Sequence, residues 1–153
     1  MMRGCSMILI GAACLAFSAC ETSDDPAQPG DLNVTGSWSG SLTVTTAADS
    51  LGGPAVLSIT QTGTSVSGAM DFGDDAPLSV AGSLSGTVLT ITITPAQATS
   101  DDCHLYPVTL VFSASEATLT VTSGSGMVCE GDGVGGHTAL DAVTGASGTL
   151  SRT

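Results

Sequence analysis

From Thr35 onward, apolar and polar residues alternate in short runs. Trp38, Gly40, Leu42 and Val44 fall on one side of an extended chain, with Ser39, Ser41, Thr43 and Thr45 on the other. Leu57 and Ile59 oppose Ser58 and Thr60. Val66, Gly68, Met70 and Phe72 make a further apolar side, and Leu78, Val80 and Leu84 another. Leu89, Ile91 and Ile93 alternate with Thr90, Thr92 and Thr94. Val108, Leu110 and Phe112 repeat the theme, as do Leu119 and Val121 among Thr118, Thr120 and Thr122. Successive side chains of a strand point to opposite faces, so a period of two marks strands buried on one side. Threonine suits the solvated face of such a sheet.

Turn signals separate the runs: Thr62-Gly63-Thr64, Gly73-Asp74-Asp75, Ser85-Gly86 and Gly124-Ser125-Gly126. The pattern predicts strands near 36–46, 55–61, 64–72, 77–84, 87–94, 106–113, 117–123, 126–130 and 147–152. Gly131 to Gly148 is glycine-rich and unlike a helix, and no strand is predicted between 130 and 147. Short turns favour antiparallel meander order. The expected fold class is therefore all-β, an antiparallel up-and-down β-barrel of about eight strands, which closes its own edges. A β-sandwich is the alternative. Trp38, Leu42, Val44, Met70, Phe72, Leu89, Ile91, Val108, Leu110 and Phe112 are expected to meet in one interior. About eight strands is the size at which side chains fill a barrel or leave room for one small ligand.

The N-terminus has a different texture. Arg3 is the one charge before Glu21, and Met7 to Phe17 is an uncharged, mostly apolar stretch. That stretch is shorter than the ~20 apolar residues a spanning helix needs, but it suits a secretory leader. Leu15-Ala16-Phe17-Ser18-Ala19-Cys20 closes it. Small residues followed by cysteine resemble the lipobox of bacterial lipoproteins. The resemblance implies cleavage before Cys20, lipid attachment at Cys20, and a domain held on a membrane of the bacterial cell envelope, in the periplasm or outside the cell. An ordinary signal peptide cut after Ala19 is the alternative. The expected organisation is a signal peptide over 1–19, a lipidated tether over 20–33 and one barrel domain over 34–153. The tether reading rests on Asp24-Asp25-Pro26 and Gln28-Pro29-Gly30-Asp31, which hold few apolar residues.

Charge narrows the partners. All fourteen acidic residues lie at or after Glu21, and past the leader Arg152 is the one basic residue. Such a surface repels phosphate backbones, so nucleic acid is not an expected partner. Cysteine usage fits export. Cys5 and Cys14 leave with the leader and Cys20 takes lipid, so Cys103 and Cys129 remain as a pair. In an oxidising compartment that pair reads as a disulfide, worth ~2–4 kcal/mol. Zinc is disfavoured, because Cys103, Cys129, His104 and His137 show no CxxC or HxxxH spacing.

Thr35-Gly36-Ser37-Trp38 opens the first strand. A Gly-x-Trp there is similar to the start of the calycin barrels, the lipocalins and avidins. The resemblance implies an up-and-down barrel with Trp38 packed across its floor. The further tryptophans of avidin biotin sites are missing, since Trp38 is the one tryptophan.

Other motifs carry little chemistry. Gly131 to Gly136 matches GxGxxG, but no helix pattern follows to bind a pyrophosphate. There is no GxSxG, and His104 and His137 have no assignable nucleophile. Asp71, Asp74 and Asp75, the pair Asp101 and Asp102, and Glu130 with Asp132 depart from EF-hand spacing and read as solvated turns. The expectation is a non-enzymatic domain without cofactor, metal or catalytic residues. It would bind a small apolar ligand or serve an envelope structural role, with a protein–protein or inhibitor module as the alternative. Thiol titration of the unreduced mature protein should find Cys103 and Cys129 unreactive; two reactive thiols there would refute the bridge.

Overall fold

Each alternating run becomes a strand. The computed structural model describes residues 32–73, 76–94, 107–131 and 137–153. These form β1 (Gly36–Thr45), β2 (Ser50–Thr62), β3 (Ser65–Asp71), β4 (Leu78–Ser85), β5 (Val88–Thr94), β6 (Val108–Ala114), β7 (Thr118–Gly131), β8 (His137–Ala142) and β9 (Gly145–Arg152). From β1 to β7 each strand pairs antiparallel with the next; β9 then pairs with both β1 and β7. The result is a closed, eight-stranded, antiparallel up-and-down barrel, consistent with a calycin-like barrel. Among the described residues there are no helices.

β8 stands outside the count of eight staves, and the register shows why. Met127 to Glu130 pair with Ala142 to Ala139, and Thr118 to Thr120 pair with Ser151 to Thr149. Both sets lie on one antiparallel ladder along β7. So β8 and β9 act as a single descending stave, interrupted between them at 143–144. This corrects two sequence expectations. Residues 126–130 are the upper part of β7 rather than a separate strand, and the glycine-rich stretch before residue 147 contains β8 and the start of β9.

Two hairpin turns follow from glycine placement. Gly63 and Gly86 each have φ of 58° and stand first in two-residue loops, between the paired ends Thr62 with Ser65 and Ser85 with Val88. A glycine with positive φ at that place matches the right-handed twist of the flanking strands.

The barrel has a floor and a mouth. β1 rises from the floor at Gly36 to the mouth at Thr45, and alternate strands descend. Trp38 lies fully buried near the floor, and its indole N–H donates to the Val34 carbonyl at 2.9 Å. The Arg152 guanidinium lies over the Trp38 ring, 4.4 Å from its centroid. The same group donates to three carbonyls: Glu116 at 2.7 Å, Thr35 at 3.0 Å and Asn33 at 2.6 Å. One side chain thus ties the last strand to the segment before β1 and to the β6–β7 turn. A cation–π contact at an exposed site contributes ~0.5–1 kcal/mol.

Above the floor, inward positions carry the core. Leu57, Met70, Leu89, Ile91, Leu110, Phe112, Leu119 and Leu150 are all under 2% exposed. Outward positions carry hydroxyls: Thr92 bonds Thr109 at 3.1 Å, and Thr120 approaches Thr149 at 3.4 Å. A membrane-spanning barrel has an apolar outer band instead. Gly82 faces inward between Val80 and Leu84, and strand β5 passes very close to it. A Cβ there would collide with the Thr90 carbonyl oxygen and lie 2.8 Å from the Ile91 Cα, both backbone atoms. Gly82→Val should therefore push β4 away from β5 and destabilise the fold by roughly 1–3 kcal/mol or more, as overpacking does. The urea midpoint reads this; an unchanged midpoint would refute the close approach.

Candidate functional site: the barrel mouth

Seven of the ten residues expected in the interior are buried there: Trp38, Leu42, Met70, Leu89, Ile91, Leu110 and Phe112. Val44 and Val108 are half-buried and pack on the same core. Phe72 departs from the expectation. It lies just past the end of β3 and is 37% exposed, because beyond Asp71 the chain leaves the sheet.

Burial also describes the interior itself. A side chain with no accessible surface touches no water-sized space, whether open or enclosed. Trp38, Leu57, Met70, Leu89, Ile91, Phe112, Leu119 and Leu150 all stand at 0%. The floor and middle of the barrel are accordingly dry and filled around these residues, in the manner of a close-packed core. No ligand-sized chamber adjoins them.

Exposed apolar side chains occur at the floor in Val88, on the outer face in Val56, and at the mouth end. Leu51 is 42% exposed at the start of β2. Its Cα partner is Val44 on β1, which in turn pairs with Ala146 on β9. Val44 and Ala146 are half-buried against the core, as are Leu78 and Val108. Together with Phe72 these residues make an apolar rim around the mouth. The sequence pattern begins this strand at residue 55 and so leaves Leu51 out. Leu51 nevertheless keeps the parity of Ala55, Leu57 and Ile59, and that was the available signal.

The β1–β2 connection at the mouth is stiffened by Thr46, a buried polar residue. Its hydroxyl oxygen accepts from the Ala48 N–H at 3.2 Å and the Asp49 N–H at 3.0 Å, and its O–H donates to the Asp49 carbonyl at 3.2 Å. Carboxylates accompany the apolar rim. Asp49 follows β1, Asp71 ends β3, and Asp141 lies near the end of β8. The floor end carries Glu116 and Arg152. Among the described residues no group of three His, Cys, Asp or Glu gathers as a metal cluster.

The remaining sequence candidates divide as follows. Cys20, Cys103, His104, Asp74, Asp75, Asp101, Asp102 and Asp132 lie outside the described residues, as does most of the GxGxxG match. The backbone of Cys129 lies in the upper part of β7, opposite Leu140. Cys129 is therefore one strand beyond β6, where the sequence reading placed it two strands on. His137 begins β8.

No family model matches this chain, and no curated protein or solved structure matches it.

The rim and the core should respond differently to truncation. Phe112→Ala should cost ~3–5 kcal/mol of stability, as large core truncations do. Phe72→Ala should cost less than about 1 kcal/mol, because its ring is already partly in water. Paired urea titrations check this; equal losses would place Phe72 in the core.

Proposed function

We propose that this chain is an exported bacterial lipoprotein, anchored through lipid on Cys20, whose barrel is a non-enzymatic scaffold. Its role is structural or adhesive within the cell envelope, and the mouth is the surface that meets a protein partner. The dry, filled interior carries this reading. A carrier of the lipocalin kind needs a chamber that encloses most of its ligand, and the 0% exposure of Trp38, Met70, Ile91 and Phe112 leaves no room beside them. What a partner can touch is the apolar rim at Leu51 and Phe72, with Asp49 and Asp71 close by in sequence. Interaction surfaces commonly combine an apolar centre with a polar margin.

The rim also favours a second reading, in which a small apolar ligand sits across the mouth without entering the barrel. The two readings part in one measurement. A fluorescent fatty-acid probe mixed with the leaderless protein should stay dim, and the protein should melt in one cooperative step. A saturable gain in intensity that Leu51→Asp abolishes would overturn the scaffold reading in favour of the ligand. The anchor has its own test. Cys20→Ala should move the protein from the membrane fraction to the soluble one, since stable anchoring requires more than one acyl chain or equivalent signal. Continued sedimentation with membranes would exclude Cys20 as the anchor.

A further inference from the structure

The two ends of the barrel differ in charge and in how the chain reaches them. The segment before β1 is seated at the floor. Leu32 packs on the core, Val34 is fully buried, and the Asn33 and Thr35 carbonyls are held by Arg152. The chain toward Cys20 therefore departs from a fixed point at the floor. The exposed floor turns are small and uncharged at Gly63, Thr64, Gly86 and Thr87, with Val88 48% exposed beside them. Glu116 is the one carboxylate of the floor turns, and Arg152 donates to its carbonyl. Among the described residues, Asp49, Asp71 and Asp141 lie at the other end.

We infer that the barrel stands floor-down on an anionic lipid surface and presents its mouth away from the membrane. The inference rests on the proposed lipid anchor at Cys20. Geometry and charge favour the same orientation. Eleven residues, 21–31, separate Cys20 from Leu32, and a coil of that length spans on the order of 20 Å. The barrel is itself roughly 25 Å tall, from ten-residue strands at about 3.3 Å per residue with the usual tilt. Floor-down, that length of chain need not cross the barrel, and the uncharged turns at Gly63–Thr64 and Gly86–Thr87 approach the headgroups. Inverted, the tether must run the barrel's full height, and the carboxylates come within a Debye length, ~8 Å, of anionic lipid. The mouth is then the part of the molecule free to meet a partner.

The full-length, lipidated protein is reconstituted in phosphatidylethanolamine–phosphatidylglycerol vesicles containing lipid with a nitroxide on its headgroup. A bimane label is placed at the floor through Thr64→Cys or at the mouth through Ala48→Cys, both exposed positions. Quenching should be at least twofold stronger at residue 64. Equal quenching, or stronger quenching at residue 48, in protein that floats with the vesicles overturns the orientation and leaves the anchor standing. Failure of the unlabelled protein to float defeats the anchor, and the orientation falls with it.

Discussion

The join between the first and last staves, which Arg152 reinforces over Trp38, is the constraint on which the closed barrel depends. An up-and-down barrel has no covalent join between its first and last staves, so something must hold the two ends of the chain together. Strand pairing does part of this, with β9 against β1 from Trp38–Arg152 to Thr45–Gly145. The arginine adds what a ladder cannot. It covers the tryptophan face and occupies three carbonyls from two other segments, Asn33, Thr35 and Glu116. Those carbonyls would otherwise need water at the edge of an apolar core. Arg152 is the one Lys or Arg after Arg3 in this acidic chain, and its guanidinium donates to backbone oxygens.

Closure also requires that the staves come close on the inside. β7 shares only Thr118 to Thr120 with β9 before the two diverge, and β8 then resumes the same register higher up. On its other edge β7 pairs with β6 from Leu119 to Gly126, with a register shift between Val111 and Phe112. Along this one seam the β7–β9 ladder is confined to the floor end. Burial falls from core to rim: core side chains are buried throughout the barrel, while those of the rim keep part of their surface in water, and this is a gradient of exposure.

That gradient bears on function. A filled interior removes the usual reason for building a barrel around a ligand and transfers interest to its ends. The floor is engaged by its own chain, through Val34, Trp38 and Arg152. The mouth is where accessible apolar groups and carboxylates occur together, on strands stiff enough to hold them in place. Outward strand positions, rich in serine and threonine, offer hydrogen bonding but little to discriminate one partner from another.

Much of the fold was legible in the residues. Strict alternation in Leu89 to Thr94 and Val108 to Phe112 identified strands and their buried faces, because a pleated chain must send alternate side chains to opposite sides. Alternation did not reveal β8, whose glycine-rich surroundings mask it; its pairing is supplied by β7. Nor did it reveal that Phe72 leaves the core, because parity continues in sequence after a strand has ended in space. Trp38 was legible as a floor residue, whereas Arg152 was not: its partners lie more than thirty positions away, and no local pattern encodes them. Sequence by itself determined the strands, their inward faces and the acidic surface, because these depend on neighbours along the chain. Closure, the filled interior and the separation of a neutral floor from a carboxylate-bearing mouth were decided only by the tertiary structure, since each depends on which distant segments the barrel brings side by side.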